Sequence, residues 1–269
     1  MTRKEQLESF GKLLDIMDEL REKCPWDRKQ TNESLRKLTI EEVYELGDAI
    51  LEKDTKELKK ELGDILLHIV FYAKIGAETG EFDIGDVINN LINKLVYRHP
   101  HVFGETKVHN AQEVEENWEA LKLKEKGRGK RVLEGVPAAL PALVKANRIQ
   151  EKARGVGFDW EFKEQVWEKV REELDELQAE VKAENRFEME KEFGDFIFSI
   201  VNAARLYEID PESALERTNQ KFIRRFNYLE EQTLMKGRSL HQMSLAEMDM
   251  FWNEAKQFEL NNPENKENK

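Results

Sequence analysis

Apolar positions in this chain recur at three- and four-residue spacing, and strand-like alternation is absent over any useful length. In the later half, Val166, Val170, Leu174 and Leu177 form one helical stripe. Phe193, Ile197, Ile200 and Ala204 form the next. Asn185 stands between these two helices, and Asp210-Pro211 opens another with proline at a favourable first-turn position. The predicted fold class is all-α.

The pattern is written twice. TIEEVYELGDAILEKDTKELKKELGDILLHIVFYA, from residue 39, aligns without a gap to VREELDELQAEVKAENRFEMEKEFGDFIFSIVNAA, from residue 170. At this constant offset of 131, Glu41, Glu42, Glu45 and Leu46 match Glu172, Glu173, Glu176 and Leu177. Glu57, Lys60, Glu61, Gly63 and Asp64 match Glu188, Lys191, Glu192, Gly194 and Asp195. The flanks agree more loosely: PWD at 25–27 resembles GFDW at 157–160, and NKLVYRH at 93–99 resembles QKFIRRF at 220–226. Trp118 with Lys122 resembles Trp252 with Lys256. Two homologous helical domains are therefore expected, residues 1–123 and 138–260. A basic, glycine-bearing linker at 124–137 would join them, and a polar tail at 261–269 would follow.

Composition sharpens this picture. Six prolines and fourteen glycines in 269 residues favour long helices, and a 36% charged fraction implies much solvated helix surface. The net charge of -12 argues against nucleic acid or an anionic membrane as the main partner. A small phosphorylated substrate stays open, because a bound metal reverses the local sign. One cysteine, Cys24, excludes an internal disulfide and fits a reducing compartment. MTRKEQLESF lacks an apolar signal core, and no apolar run approaches membrane-spanning length, so a soluble cytoplasmic protein is expected.

The repeated acids carry the candidate chemistry. Residues three apart on a helix share a face, so Glu173 and Glu176 project together, as do Glu192 and Asp195. A short turn between the helices allows an antiparallel hairpin with the acids opposed. Two like charges at about 4 Å repel by about 1 kcal/mol in water and several times more near a protein surface. A divalent cation removes that repulsion, and all-oxygen ligands suit Mg²⁺ or Mn²⁺. The alternative is a solvated acidic face, which has no reason to keep its register in two copies. Gly63 and Gly194 recur beside the last acid although a helical glycine costs about 1 kcal/mol relative to alanine. Close backbone approach beside the acids is the expectation. His68 has Ser199 as its counterpart, so it reads as packing or as support for the acids. No Glu-x-x-His set, P-loop, Cys/His zinc pattern or Ser-His-Asp grouping accompanies them. Oxygen-bound magnesium commonly bridges phosphates, and Lys221, Arg224 and Arg225 supply cations one helix later. Trp252 is a candidate stacking surface for a base, against the alternative of a core tryptophan.

EExxE followed by ExxD, with the GFDW loop, the KFIRR helix, the late Trp252, CPWD at 24–27 and YRHPHVF at 97–103, resembles the MazG family of nucleoside triphosphate pyrophosphohydrolases. The resemblance covers nearly the whole chain and implies a tandem all-α pyrophosphatase fold whose bundle is completed in a homodimer. It implies Mg²⁺-dependent hydrolysis of nucleoside triphosphates to monophosphate and pyrophosphate. Carried onto this sequence, the metal ligands are Glu173, Glu176, Glu192 and Asp195, with Glu172 as a nearby carboxylate that helps orient water. Lys221, Arg224 and Arg225 would hold the triphosphate and Trp252 the nucleoside, with Lys169 and Lys191 as further site residues. A regulatory protein partner could accompany the activity.

The first half keeps the acids Glu42, Glu45, Glu61 and Asp64. Its phosphate helix has Tyr97 where the second half has Arg224, and His99 in place of Phe226, with Lys94 and Arg98 retained. The main active site is therefore expected in the second half. Two other readings compete: a narrow dUTPase-like nucleotide pyrophosphatase, and a non-enzymatic helical interaction protein.

Overall fold

The computed structural model describes residues 1–110, 113–114, 117–118, 121, 131–235 and 237–261. Lys122, residues 124–130 of the expected linker and residues 262–269 of the expected tail lie outside them. Two compact units, Met1–Arg128 and Gly129–Lys269, divide the chain. Both are helical, and no strand occurs among the described residues. No helix among them is long and apolar enough to cross a membrane.

In the first unit α1 spans Arg3–Lys23, α2 Asn32–Leu51, α3 Thr55–Thr79, α4 Ile84–Arg98 and α5 Pro100–Phe103. Start signals are local: the Thr2 and Thr31 hydroxyls accept from the backbone N–H three residues on, and the Asp54 carboxylate caps α3. Helix α3 ends at Gly80, whose φ of 70° is the left-handed conformation that glycine adopts freely. Helices α2 and α3 form a hairpin, and α1 packs on α3. Met17, Leu35, Val70 and Phe71 are the buried centre, with Phe10, Leu38 and Tyr72 packed around them.

In the second unit α6 spans Ala142–Arg154, α7 Val166–Lys182, α8 Arg186–Leu206, α9 Pro211–Met235 and α10 Leu245–Asn261. Helices α7 and α8 form the matching hairpin, α6 packs on α8, and α9 packs on α10. One buried cluster here is Val166, Val170 and Ala203 with Phe196 and Leu206 against them, and Leu177, Val201, Leu229, Phe251 and Ala255 are buried as well.

The two hairpin turns are copies. Lys53 and Glu184 stand at the same place in the repeat, with φ of 57° and 55°. Asp54 N–H donates to Ala49 C=O (3.0 Å) and Asn185 N–H to Glu180 C=O (3.2 Å), the same bond at the repeat offset. Each closes a left-handed helix terminus that satisfies carbonyls otherwise left orphaned.

Two expectations need correction. The stripe on α8 does not face the unit's core: Phe193 and Ile197 are each 52% exposed and Ile200 39%. Leu62, Leu66 and Ile69 occupy the same repeat positions on α3 and are likewise exposed. The core is built instead from the adjoining face of each helix, with Val201 and Ala203 buried on α8 and Val70, Phe71 and Ala73 on α3. The close approach expected at Gly63 and Gly194 is also missing, since a Cβ at either would meet nothing within 4 Å. Both lie on solvent-facing surface of the hairpin, where no neighbour in the unit demands glycine.

Candidate functional site

Each hairpin brings three acids together at the repeat offset. Carboxylate oxygens of Glu42, Glu45 and Glu61 lie within 4.8 Å of one another, as do those of Glu173, Glu176 and Glu192. Asp64 and Asp195 are not in these tight groups. They act on them at longer range, Asp64 raising the Glu42 pKa and Asp195 that of Glu192. The Glu42 carboxyl is pushed up by burial, then by Asp64 and Glu45. Burial and then Glu176, Asp195 and Glu173 do the same to Glu192. This is the electrostatic signature of acids crowded without sufficient positive charge.

The two clusters handle the crowding differently. In the first, Lys60 enters the group, 2.5 Å from Glu61, 2.7 Å from Glu57 and 4.0 Å from Glu45. Its hydrogen bond holds the Glu61 carboxyl below the ordinary range. Glu61 is fully buried, and its Oε2 has no hydrogen-bond partner. In the second, the equivalent Lys191 turns away to Glu188 (2.7 Å) and lies over the Phe187 ring (4.3 Å). Lys169 is the lysine that answers the acids there, 2.8 Å from Glu172 and 2.7 Å from Glu173. Glu173 is the buried member, at 7% exposure. A hard divalent cation fits both groups: the donors are all carboxylate oxygen, three lie within mutual reach, and one buried oxygen of Glu61 lacks a partner.

Residues 30–103 and 163–229 match the MazG nucleotide pyrophosphohydrolase domain, and each segment contains one acid group. The nucleoside triphosphate pyrophosphohydrolase/pyrophosphatase MazG of Thermotoga maritima is 47% identical over 250 residues, 92% of this chain and 95% of that one. The chain belongs to the MazG family. The nucleoside triphosphate pyrophosphohydrolase of Escherichia coli K12 is 38% identical over 261 residues, 94% of this chain and 99% of its own. Among solved structures, a mazG-related protein from Thermotoga maritima aligns at a TM-score of 0.38 and 28% identity, over 42% of this chain and 98% of that one.

In this MazG-family chain two of the expected phosphate cations are engaged by Glu259 of α10. Arg225 donates to Glu259 of α10 (2.7 Å) and lies over the Trp252 ring (5.7 Å). Arg224 sits 3.8 Å from the same Glu259, and Lys221 is exposed on the same helix. The acids acting on Glu192, by contrast, all come from α7 and α8. Trp252 packs against Phe222 with ring centres 4.9 Å apart. The first unit repeats the motif, with Arg98 over the Trp118 ring at 5.4 Å. His68 is buried and shares Thr39 Oγ1 with Tyr72, at 2.6 and 2.7 Å, which makes it part of the packing behind the first cluster.

A feature that sequence reasoning missed adjoins the second cluster. A cavity of 630 Å³ lies between α6, the 157–160 loop, α7 and α8, and Lys169, Glu173 and Asp195 are in its lining. The loop is held by Arg205, which donates to Asp159 at 2.9 and 2.5 Å. Burial opposes ionisation of Asp159, but Arg205 and the Trp160 N–H outweigh it and hold the carboxyl below its ordinary range. The signal was available inside the repeat: Asn202 interrupts an apolar run where the first copy has Phe71.

Proposed function

We propose that this chain hydrolyses nucleoside triphosphates to monophosphate and pyrophosphate with Mg²⁺, at a main site in the second unit. Mn²⁺ is an alternative ion for the same donors. The observation that carries the reading is the pair of three-carboxylate groups held at one repeat offset, within family segments that both match. The T. maritima and E. coli relatives bear the pyrophosphohydrolase name over almost their full length.

Glu173, Glu176 and Glu192, with Asp195 beside them, would hold the cation. When bound, it supplies positive charge against the negative charge that builds on the departing pyrophosphate. Lys221, Arg224 and Arg225 grip the phosphates, the arginines through paired N–H donors, with Lys169 and Lys191 as further site residues. Glu172 and Glu173 orient a water for attack on a phosphorus of the α–β linkage. The water oxygen bonds to phosphorus, the bond to the bridging oxygen breaks, and the water proton passes to a carboxylate.

Placement of the main site in the second unit is supported by the cavity beside its acids; the lysines do not separate the two groups, since Lys60 contacts the first and Lys169 the second. Among the described residues, a cavity able to take the rest of a nucleotide adjoins the second group. A homodimer fits the same reading. The apolar stripes on α3 and α8 are exposed at equivalent positions, and a partner copy would bury them and bring cations to the acids. A monomeric mass in sedimentation at working concentration would sink the dimer.

The test of the activity is product identity. Each triphosphate is incubated with and without Mg²⁺ and the products are separated. Monophosphate plus pyrophosphate, only with the ion, is expected. Diphosphate plus phosphate, or no turnover, would defeat the reading.

A further inference from the structure

We infer that Asp159 and Arg205 are positioning residues for the reaction: their ion pair latches the 157–160 loop to α8 and keeps the loop's aromatic side chains out of the cavity beside the second acid group. The inference rests on the pyrophosphohydrolase reading above and adds to it the two residues that keep that site open to substrate.

The loop leaves α6 through a left-handed turn at Gly157, whose φ is 85°. Gly157 N–H donates to the Arg154 carbonyl (2.8 Å) and Phe158 N–H to that of Ala153 (3.0 Å), which fixes the chain as far as Phe158. The next hold is the Asp159 carboxylate. Arg205 Nη1 donates to its Oδ2 at 2.9 Å and Nη2 to its Oδ1 at 2.5 Å, a guanidinium fork on a carboxylate. Trp160 N–H donates to the same Oδ1 at 3.0 Å. One side chain therefore ties the backbone of the loop to α8. Arg205 is itself held, since its side chain is 8% exposed and its Nε and Nη2 donate to Asn202 Oδ1 at 3.0 and 2.7 Å. Removing either member of such a pair strands the other charge where water reaches it poorly.

What the latch restrains is apolar. Phe158 is 81% exposed and Trp160 40%, and both border a cavity whose lining includes Leu133, Ile149 and Phe198. Aromatic surface kept in water beside an apolar cavity is unfavourable and has to be enforced. A released loop gains by turning Phe158 inward, where Lys169, Glu173 and Asp195 line the same space. Arg205 stands on the helix that carries Glu192 and Asp195, so the latch also keeps loop and acids at one spacing.

The first unit is tied differently. Lys74 occupies the place of Arg205 in the repeat, and it pairs with Asp18 of α1 at 2.7 Å. The loop at PWD is gripped from α1, where Arg21 donates to the carbonyls of Asp27 and Gln30. Among the described residues, the loop tied to an acid-bearing helix through an aspartate is the one that borders the cavity.

The experiment uses the full chain and the triphosphate that it turns over fastest. Asp159→Asn is expected to raise KM about 10-fold while kcat changes by less than about 3-fold, the pattern of lost binding rather than lost chemistry. Arg205→Lys keeps the charge but not the fork and should raise KM less. Adding Phe158→Ser to Asp159→Asn should bring KM back to within about 3-fold of the parent, by removing the apolar group that gains from turning inward. A merely structural pair would not be mended by a second substitution in the loop. Calorimetry with the α,β-methylene analogue of the same triphosphate and Mg²⁺ should give the same ranking without turnover. In the parent protein, the Trp160 N–H should exchange slowly with solvent deuterium before any ligand is added, and quickly in Asp159→Asn. An unchanged KM in folded Asp159→Asn, a loss confined to kcat, no recovery with Phe158→Ser, or fast Trp160 exchange in the parent would overturn the latch. Absence of turnover on every triphosphate defeats the pyrophosphohydrolase reading instead, and Trp160 exchange in the two proteins then decides whether the pair holds the loop.

Discussion

The two α-helical hairpins share a turn, an acid group and an exposed apolar stripe, yet differ in what lies behind the acids. Behind Glu42 and Glu61 the first unit is filled: Met17, Leu35, Val70 and Phe71 close into a core, and His68 is tied to Thr39. Behind Glu173 the second unit is open, with Asn202 in place of Phe71, Ser199 in place of His68 and Lys169 in place of Leu38. Duplication has kept the features set by hairpin geometry and released the side chains behind them. Among the described residues, the same acid group thus stands over a packed core in one unit and beside a cavity in the other.

The sharpest way to break this contrast is to empty the first unit. Phe71→Ala is expected to cost about 3–5 kcal/mol, the usual range for removing a buried phenylalanine. Asn202→Ala, at the equivalent position, removes little packing and should cost about 1–2 kcal/mol, through the hydrogen bonds its Oδ1 accepts from Arg205. Urea unfolding followed separately in the two units, through local tryptophan fluorescence, would measure both. Similar losses at the two positions would mean that the second cavity is no more open than the first core.

Much of this was legible before any coordinates. The helical stripes and the repeat gave the all-α class and both hairpins, because period and register are properties of the chain. The EExxE and ExxD spacing led to four acids in each copy, of which three lie together, with Asp64 and Asp195 outside the tight groups. The burial of the stripes did not follow. Phe193, Ile197 and Ile200 have the right period for a core face, but period cannot say whether the neighbour that covers them lies in the same unit. The cavity was hidden for a related reason. Gln150, in its lining, comes from α6, outside the gapless repeat, and donates to a carbonyl of α8 that no motif marks. Glycines 63 and 194 misled, since a repeated glycine signals a constraint without saying which surface imposes it.

The next contrast is catalytic. Glu173→Gln removes a charge from the buried member of the second group and should lower Mg²⁺-dependent pyrophosphate release by about 100-fold. Glu42→Gln, its repeat counterpart, should leave most of that rate intact. Steady-state assays of the two variants side by side supply the measurement. Equal losses would erase the ranking of the two sites, and an unchanged rate in Glu173→Gln would remove the second unit from the reaction.

The smallest expected effect tests what the two units share. Lys53 and Glu184 hold φ of 57° and 55° at the same point of the turn. A side chain in that conformation costs roughly 1–2 kcal/mol, and glycine recovers it at an entropic cost of about 0.5–1 kcal/mol. Glu184→Gly and Lys53→Gly should therefore each stabilise their own unit by about 0.5–1 kcal/mol. Glycine at Glu180, four residues earlier in the body of α7, serves as the control and should destabilise by about 1 kcal/mol. Thermal unfolding resolves changes of this size when the variants are compared in one buffer. Matching gains at 53 and 184 would establish that the turn was duplicated along with its strain. A gain at only one would show that the turns have diverged in energy despite their matching angles, as the space behind the acids has diverged in shape.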